Sequence, residues 1–492
     1  MSPEVDAMEP ADYQKLLATF EAEIREGRES TVRSKIATLN FAKVPRSFLL
    51  PLAQVCRRSG LVNEGIRLLS HVVRAGRPAE APPTQLELAE YGALLTQNGS
   101  VNEAQELLAK VDERSVPLVH LYRGFCHVVS WDYEGAIPHY LRMLQTDLDP
   151  YTKLIAFVNL SAGYVSTGCT KEALACIAQT LAQAEAAKAV RLQGNLYELR
   201  AQVYLQNGAF AKCEADLSQA NLILRQSGSL DKLFVDKWSA NLSALRDGDT
   251  TELTAFKFKA RDFGHWESIR EADLYLLKVG FDQHQFDHLY FGTPYDGYRK
   301  RILREIAGEP SDTFFFHGAT SKYMDLSSGD IVGLSAHLKA GRKIHQLLVA
   351  LTQDLYAPRS IPHLFCLLYP DEHFDPETSV SRVRQVIVRL RQWLSRMRVP
   401  LTVELLKNGY RMVVGPDFSL MYHRGKSVVR SPDEILLDQL TQIFHGKRFS
   451  LVEAQESLNV SNARIVRLLY NSVKQGQINK FGGGRGTRYS VA

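Results

Sequence analysis

Residues 94–104 read Leu94-Leu95-Thr96-Gln97-Asn98-Gly99-Ser100-Val101-Asn102-Glu103-Ala104: the apolar end of one helix, a turn glycine, then a second helix opening on an acidic and a small residue. The pattern recurs four times. It stands at Val55-Cys56-Arg57-Arg58-Ser59-Gly60-Leu61-Val62-Asn63-Glu64-Gly65 and at Val128-Val129-Ser130-Trp131-Asp132-Tyr133-Glu134-Gly135-Ala136. It stands again at Tyr164-Val165-Ser166-Thr167-Gly168-Cys169-Thr170-Lys171-Glu172-Ala173 and Tyr204-Leu205-Gln206-Asn207-Gly208-Ala209-Phe210-Ala211-Lys212-Cys213. Aligned on turn positions 60, 99, 131, 168 and 208, the units are 39, 32, 37 and 40 residues apart. Small residues at 65, 104, 136, 173 and 213 fall where the second helix of a pair must approach the first closely. Such a period marks a stack of helix pairs, each too small to bury its own apolar face.

Residues 12–246 resemble a somewhat irregular tetratricopeptide (TPR) array, a family with a period of roughly 34 residues. The resemblance implies an α-solenoid whose concave face binds a protein or peptide partner, or a second copy of the chain. The plainer alternative is an array that only spaces or dimerises the C-terminal half.

Asp247-Gly248-Asp249-Thr250-Thr251 reads as a boundary, and 247–310 as a helical connector of unassigned role. Trp266–Val279 has helical spacing, and Tyr298-Arg299-Lys300-Arg301-Ile302-Leu303 opens another helix. His284 and His288 stand four apart, but Gln285-Phe286-Asp287 between them lacks the glutamate of a zinc-protease motif. Packed or solvated histidines are the expectation, with no metal. Phe291-Gly292-Thr293-Pro294-Tyr295 reads as an ordered turn without assigned chemistry.

From Asp312 the period changes. Thr313-Phe314-Phe315-Phe316-His317 and Tyr323-Met324-Asp325-Leu326, before the turn Ser327-Ser328-Gly329-Asp330, read as short strands. Helical stretches come next at 341–354, 360–369 and 379–397, and Lys407-Asn408-Gly409 joins two strands at 401–406 and 410–414. In the third helix Val380, Val383, Ile387, Leu390, Leu394 and Met397 form a core stripe at +3 and +4 steps. Arg382, Gln385, Arg389, Gln392 and Arg396 recur on the opposite face, with Arg384 and Arg391 on a flank and no acidic residue between 379 and 401. Arginine chelates guanine or clamps phosphate, and glutamine pairs with adenine, so this stripe suits a DNA major groove.

Residues 312–414 resemble the OmpR/PhoB-type winged-helix DNA-binding domain. On that resemblance Ile361-Pro362-His363-Leu364-Phe365-Cys366-Leu367-Leu368-Tyr369 is the positioning helix and Phe374-Asp375-Pro376-Glu377 the loop before recognition. Val383 to Leu394 is the recognition helix, and Lys407-Asn408-Gly409-Tyr410-Arg411 the wing, which brings in Lys407 and Arg411. One departure is that no phospho-acceptor receiver domain precedes it, which leaves the TPR array as the candidate sensor.

A second unit comes after it. An apolar-periodic helix at 432–444 precedes 450–458 and Val460-Ser461-Asn462-Ala463-Arg464-Ile465-Val466-Arg467-Leu468-Leu469, a helix-turn-helix. Ile465, Leu469 and Val473 face the core, and Arg464, Arg467, Asn471 and Lys474 the other side. Gln475-Gly476-Gln477-Ile478 and Lys480-Phe481 lead into Gly482-Gly483-Gly484-Arg485-Gly486 and Thr487-Arg488-Tyr489-Ser490-Val491, two strands around a flexible tip. The segment resembles the generic bacterial winged helix-turn-helix, with Ser461, Asn462, Arg464, Arg467 and Asn471 at the groove and Arg485 and Arg488 on the wing. The glycine run lacks the Gly-Lys-Ser/Thr ending of a phosphate loop and no helix comes after it.

The rest of the chain constrains these readings. Of 492 residues, 45% are hydrophobic and 23% charged, an ordinary globular composition. The net charge of +5 conceals a split: residues 331–492 carry 23 Lys and Arg against 12 Asp and Glu, or +11, and the first 330 carry −6. That asymmetry suits a nucleic-acid-binding end. Six scattered cysteines form no metal or disulfide pattern. The acidic Met1-Ser2-Pro3-Glu4-Val5-Asp6 is unlike a signal peptide, and no apolar run matches a membrane helix, so a soluble, cytoplasmic location is expected. The fold class expected is mainly α: a TPR-like α-solenoid at 12–246, a connector at 247–310, and two small α+β winged-helix domains at 311–420 and 430–492. The function expected is sequence-specific double-stranded DNA binding in transcription regulation, by a possible homodimer whose array holds a partner. The alternative is a PCI-type assembly subunit, in which winged helices make protein contacts. Metal-ligand clusters, a nucleophile elbow, a Walker loop and a dinucleotide fingerprint are all absent from the sequence, so neither an enzyme nor a cofactor is expected.

Overall fold

At all five turn positions of the repeat the backbone is left-handed: Gly60 (φ +79°), Gly99 (+96°), Trp131 (+57°), Gly168 (+78°) and Gly208 (+69°). Glycine adopts this conformation freely, whereas an L side chain costs roughly 1–2 kcal/mol there. The turns join Arg46–Arg58 to Val62–Val73, Gln85–Asn98 to Val101–Ala109, Val119–Val128 to Tyr133–Leu144, Pro150–Thr167 to Thr170–Ala186, and Val190–Gln206 to Phe210–Leu224. The close-approach positions Gly65, Ala104, Ala136, Ala173 and Cys213 are all buried. A Cβ on Gly65 would stand 2.7 Å from Leu94 Cδ2, so the size of that residue sets the distance between helices.

The structure, a computed structural model, describes residues 9–25, 28–74, 81–225, 229–318, 321–406, 409–425, 432–458 and 460–491. These residues are mainly helical, with twenty-three α-helices and nine short strands. No described helix is long and apolar enough to cross a membrane.

Within each pair the helices pack on one another, and first helices pack on first helices: Arg46–Arg58 on Gln85–Asn98, Pro150–Thr167 on Val190–Gln206, and the latter on Ser229–Asp247. The stack does not stop at 246. Gly248 is another left-handed turn (φ +73°), joining Ser229–Asp247 to Thr251–Asp262, and Trp266–Val279 packs on both helices. The segment read as a boundary is thus one more helix-pair turn. Gln283–Phe291 and Asp296–Glu305 complete this end, sharing a core with Trp238, Phe256, Tyr275, Phe286 and Tyr298.

Trp131 takes the turn position where the other units have glycine because its side chain is used elsewhere. Its Nε1 donates to Glu267 Oε2 at 2.9 Å, and its ring meets Tyr298 edge-on with centroids 4.5 Å apart. A Cβ on Gly297 would lie 2.0 Å from the Trp131 carbonyl oxygen. The third turn of the stack therefore rests directly on the start of the helix Asp296–Glu305.

Contacts divide the chain into two units: Met1–Pro310 with Asp354–Val383, and Ser311–Gln353 with Arg384–Ala492. In the first, Asp354–Val383 is bound to the helix pairs by polar contacts. Arg270 Nη2 donates to Asp354 Oδ1 at 2.8 Å, with both side chains fully buried. The Tyr356 hydroxyl donates to Asp273 at 2.8 Å, and Cys366 Sγ donates to Ser100 Oγ at 3.3 Å. The Phe374 amide donates to Glu103 at 3.2 Å, and its carbonyl accepts from Arg74. The helix Ile361–Leu368 lies within this segment.

The second unit has a five-stranded sheet in the order Thr313–Phe316, Ser419–His423, Tyr323–Asp325, Asp330–Val332, Ala336–His337. Its pairs are antiparallel except Tyr323–Asp325 against Ser419–His423. A separate hairpin pairs Leu401–Leu406 with Gly409–Val414, and the helix Lys343–Thr352 packs on its second strand. The C-terminal part places Pro432–Phe444, Leu451–Leu458 and Asn462–Lys474 with the hairpin Ile478–Phe481 and Arg488–Val491. Leu440, Phe449, Ala454, Ile465, Leu468, Leu469 and Ile478 form its core.

The contact between Trp131 and Gly297 can be tested by mutation. Adding a methyl inside a helix ordinarily stabilises by roughly 0.5–1 kcal/mol, but at Gly297 it collides with a backbone carbonyl. Gly297→Ala is therefore expected to destabilise the chain by about 1–3 kcal/mol, read as a lower thermal midpoint. A raised midpoint would mean that the third turn does not rest on this helix.

Candidate nucleic-acid interface

The helix Ser379–Arg396 starts at a built cap. Asp375 accepts the amides of Glu377 (2.8 Å) and Thr378 (2.9 Å), and its own amide donates to Ser379 Oγ at 2.9 Å. Partial burial opposes ionisation of Asp375, but those amides hold its carboxyl below the usual range.

Beyond the cap the two faces separate by helical period. Val383, Val386, Ile387, Leu390, Trp393 and Leu394 are buried, and Val380 and Met397 are half-buried at the ends. Val386 and Trp393 widen the apolar stripe beyond the one read from the sequence. The opposite face exposes Arg384, Gln385, Val388, Arg389, Arg391, Gln392 and Arg396.

These side chains are not equivalent. Arg384, Gln385, Arg389, Gln392 and Arg396 have no hydrogen-bond or ion-pair partner among the described residues. Arg382, in the first unit, is bound by both carboxylate oxygens of Glu372, with one contact at 2.8 Å, and lies 4.1 Å above the Tyr369 ring. Arg391 donates Nε and Nη2 to the Val403 carbonyl at 3.2 and 2.7 Å, bracing the hairpin. Arg411 pairs with Glu404 across that hairpin at 3.3 Å. The unengaged set is thus Gln385, Arg389, Gln392 and Arg396 along one strip, with Arg384 beside it. Sequence reading passes over Val388, which is 48% exposed in the middle of the strip. An apolar group there suits a thymine methyl.

The helices Leu451–Leu458 and Asn462–Lys474 repeat the layout on a smaller scale. Ser450 and Glu453 cap the helix Leu451–Leu458 reciprocally, the Ser450 amide donating to Glu453 at 2.6 Å and the Glu453 amide to Ser450 Oγ at 3.2 Å. On the helix Asn462–Lys474, Ile465, Leu468, Leu469 and Ser472 are buried, while Arg467, Asn471 and Lys474 are exposed without a partner among the described residues. Ser461 and Asn462 are exposed at its start. Arg464 is tied to Asp433 at 2.7 Å and Arg488 to Glu453 at 2.9 Å. Both ion pairs are part-exposed, hence weak and exchangeable for a phosphate. Tyr470, which sequence reading does not single out, is 69% exposed three residues beyond Arg467. Its signal is its place on the polar face of an otherwise amphipathic helix. Lys407, and the side chain of Arg485, lie outside the described residues.

Among the described residues no group of three or more His, Cys, Asp or Glu can hold a metal ion. His284 is exposed, and His288 stacks on Tyr356 with centroids 5.3 Å apart. No protein-family model matches the chain, and neither does any curated protein.

Arg389 and Arg391 provide a paired test. Replacing Arg391 by alanine removes two charge-assisted bonds to a hairpin carbonyl and is expected to cost about 1–2 kcal/mol. Arg389→Ala removes no bond and should lie within about 0.5 kcal/mol of wild type. Denaturant midpoints of the two variants check this, and equal losses would contradict the division of roles.

Proposed function

We propose that the chain is a sequence-specific double-stranded DNA-binding transcription regulator. In this reading 312–414 is an OmpR/PhoB-like winged helix and 430–492 a second winged helix-turn-helix. The preceding helix pairs form a TPR-like array that takes a protein or peptide partner or pairs two copies of the chain. The observation that carries it is the strip Gln385, Arg389, Gln392, Arg396, with Arg384 beside it: exposed, unengaged, and on a helix without an acidic residue. Long cationic and amide side chains facing water without partners fit phosphate and base-edge contact. The net +11 of residues 331–492 adds to the long-range attraction.

The second reading is a PCI-type assembly subunit, and one observation favours it. The helix Ile361–Leu368 and its flanks are bound into the helix pairs through Arg270, Ser100, Glu103 and Arg74, as in a body whose helical repeats and winged helix form one scaffold. The free arginine strip weighs against it, since an interface between subunits would bury or pair those charges.

The test is selection of duplexes from a random pool by the full-length chain. A fragment starting at 311 would separate Asp354 from Arg270, so truncation is a poor substitute. Enrichment of one motif is expected, with affinity falling by an order of magnitude or more between low and physiological salt as counterions are released. Gln385→Ala with Arg389→Ala should erase the motif, while Arg488→Ala should weaken all duplexes by a similar factor. Absence of duplex binding at low salt would leave the assembly reading.

A further inference from the structure

The helices Ser379–Arg396 and Asn462–Lys474 share a stretch of sequence. Ile387-Val388-Arg389-Leu390 in the first recurs as Ile465-Val466-Arg467-Leu468 in the second. The burial of the four residues recurs with it. Ile387, Ile465, Leu390 and Leu468 are all buried. Val388 and Val466 are 48% and 46% exposed. Arg389 and Arg467 are exposed and have no hydrogen-bond or ion-pair partner among the described residues.

The register holds further along. Arg396 and Lys474, seven residues after each arginine, are both exposed cations without a partner among the described residues. Gln385 and Gln392 of the first helix correspond to Ala463 and Tyr470 in the second. Core packing explains the isoleucine and leucine of each stretch. It does not explain the valine and arginine between them. A valine on a wet helix face buries little and is a poorer helix former than the lysine or glutamate usual there. An arginine that bonds to nothing adds no interaction to the fold. The same pair nevertheless stands at the same place on both helices.

We infer that the two helices read the same short element of duplex DNA, a T·A pair beside a G·C pair, and that the site bound by one chain holds two copies of it. This rests on the DNA-binding reading above and adds to it the sequence that is bound. In a major groove the valine methyls meet the thymine C5-methyl, and the arginine donates to guanine O6 and N7. Successive helix residues advance by about 1.5 Å, less than the base-pair step of about 3.4 Å, so neighbouring side chains reach the same or adjacent pairs. Gln385 and Gln392 extend the first copy towards adenine, a bidentate contact that Ala463 and Tyr470 cannot make. The two copies therefore share a core and differ in their flanks. One element of two base pairs occurs by chance in almost every duplex of a random pool, so only the pair of elements is enriched. Loss of Gln385 and Arg389 is for that reason enough to erase the motif.

The experiment takes the duplex selected by the full-length chain and alters one base at a time. Deoxyuridine in place of thymine removes the methyl, and a guanine analogue with carbon in place of N7 removes one acceptor. In either copy, deoxyuridine is expected to weaken binding about fourfold, the worth of one buried methyl group. The guanine analogue is expected to weaken it about fivefold. Val388→Ala should abolish the deoxyuridine effect in one copy and Val466→Ala in the other, and Arg389→Ala and Arg467→Ala should divide the guanine effect in the same way. A selected motif without a repeated element, or one whose thymines all tolerate deoxyuridine, would overturn the inference and leave the DNA-binding reading standing. Loss of the deoxyuridine effect in both copies with Val388→Ala alone would also overturn it, because two chains would then each be applying the first helix. Selection of no motif at all would remove both the inference and the reading beneath it. The base analogues are measured on the wild type, so they decide the matter even if a variant fails to fold.

Discussion

Arg270 is a guanidinium with no access to water, and much of the first unit is arranged around it. Its Nη2 meets Asp354, its Nη1 meets Glu267, and the rings of Tyr295, Tyr298 and Tyr356 lie 5.2, 5.8 and 5.0 Å from its carbon. Burial alone would lower its pKa, but Asp354 and Glu267 more than reverse that and hold it protonated. Asp354 is in turn kept ionised despite its burial, by Arg270 and Arg359 and by the amides of Ala357 and Tyr356. Such a pair adds little net stability over an apolar one, yet separating its members strands a charge in the interior and typically costs about 3–5 kcal/mol. The consequence is specificity of attachment: residues after 354 have one place on the helix pairs where their charge is answered.

That attachment divides the segment that we propose as a DNA reader. The helix Ile361–Leu368 and the start of the helix Ser379–Arg396 belong to the first unit, and Arg384 onward to the second. Within one helix, Arg382 is engaged by Glu372 and Tyr369, while Arg389 and Arg396 are left to solvent. Identical side chains on the same stripe therefore have different roles, because neighbours outside the helix decide what each arginine meets.

The same dependence on remote neighbours limits what is legible in the sequence. The helix pairs are readable because a left-handed turn and a small close-approach residue are strictly local demands, visible at Gly60, Gly99, Gly168 and Gly208. The two faces of the helix Ser379–Arg396 are readable from period alone. Trp131 is opaque, since its partners Glu267 and Tyr298 lie far along the chain. Gly248 reads as a boundary because its flanking aspartates and threonines resemble a linker, although its conformation is that of the earlier turns. The partners of Arg382, Arg391, Arg464 and Arg488 are 10, 12, 31 and 35 residues away, beyond the reach of any helical spacing rule.

Trp131, Glu267, Arg270 and Asp354 also form a single chain of contacts. The same oxygen, Glu267 Oε2, accepts from the Trp131 indole and from Arg270, so the indole and the buried guanidinium share one acceptor. Asp354 begins the segment that carries the helix Ile361–Leu368. The Trp131 backbone is held in a left-handed conformation that glycine would occupy more cheaply, and the indole's bond to Glu267 is what the chain gains from that strain.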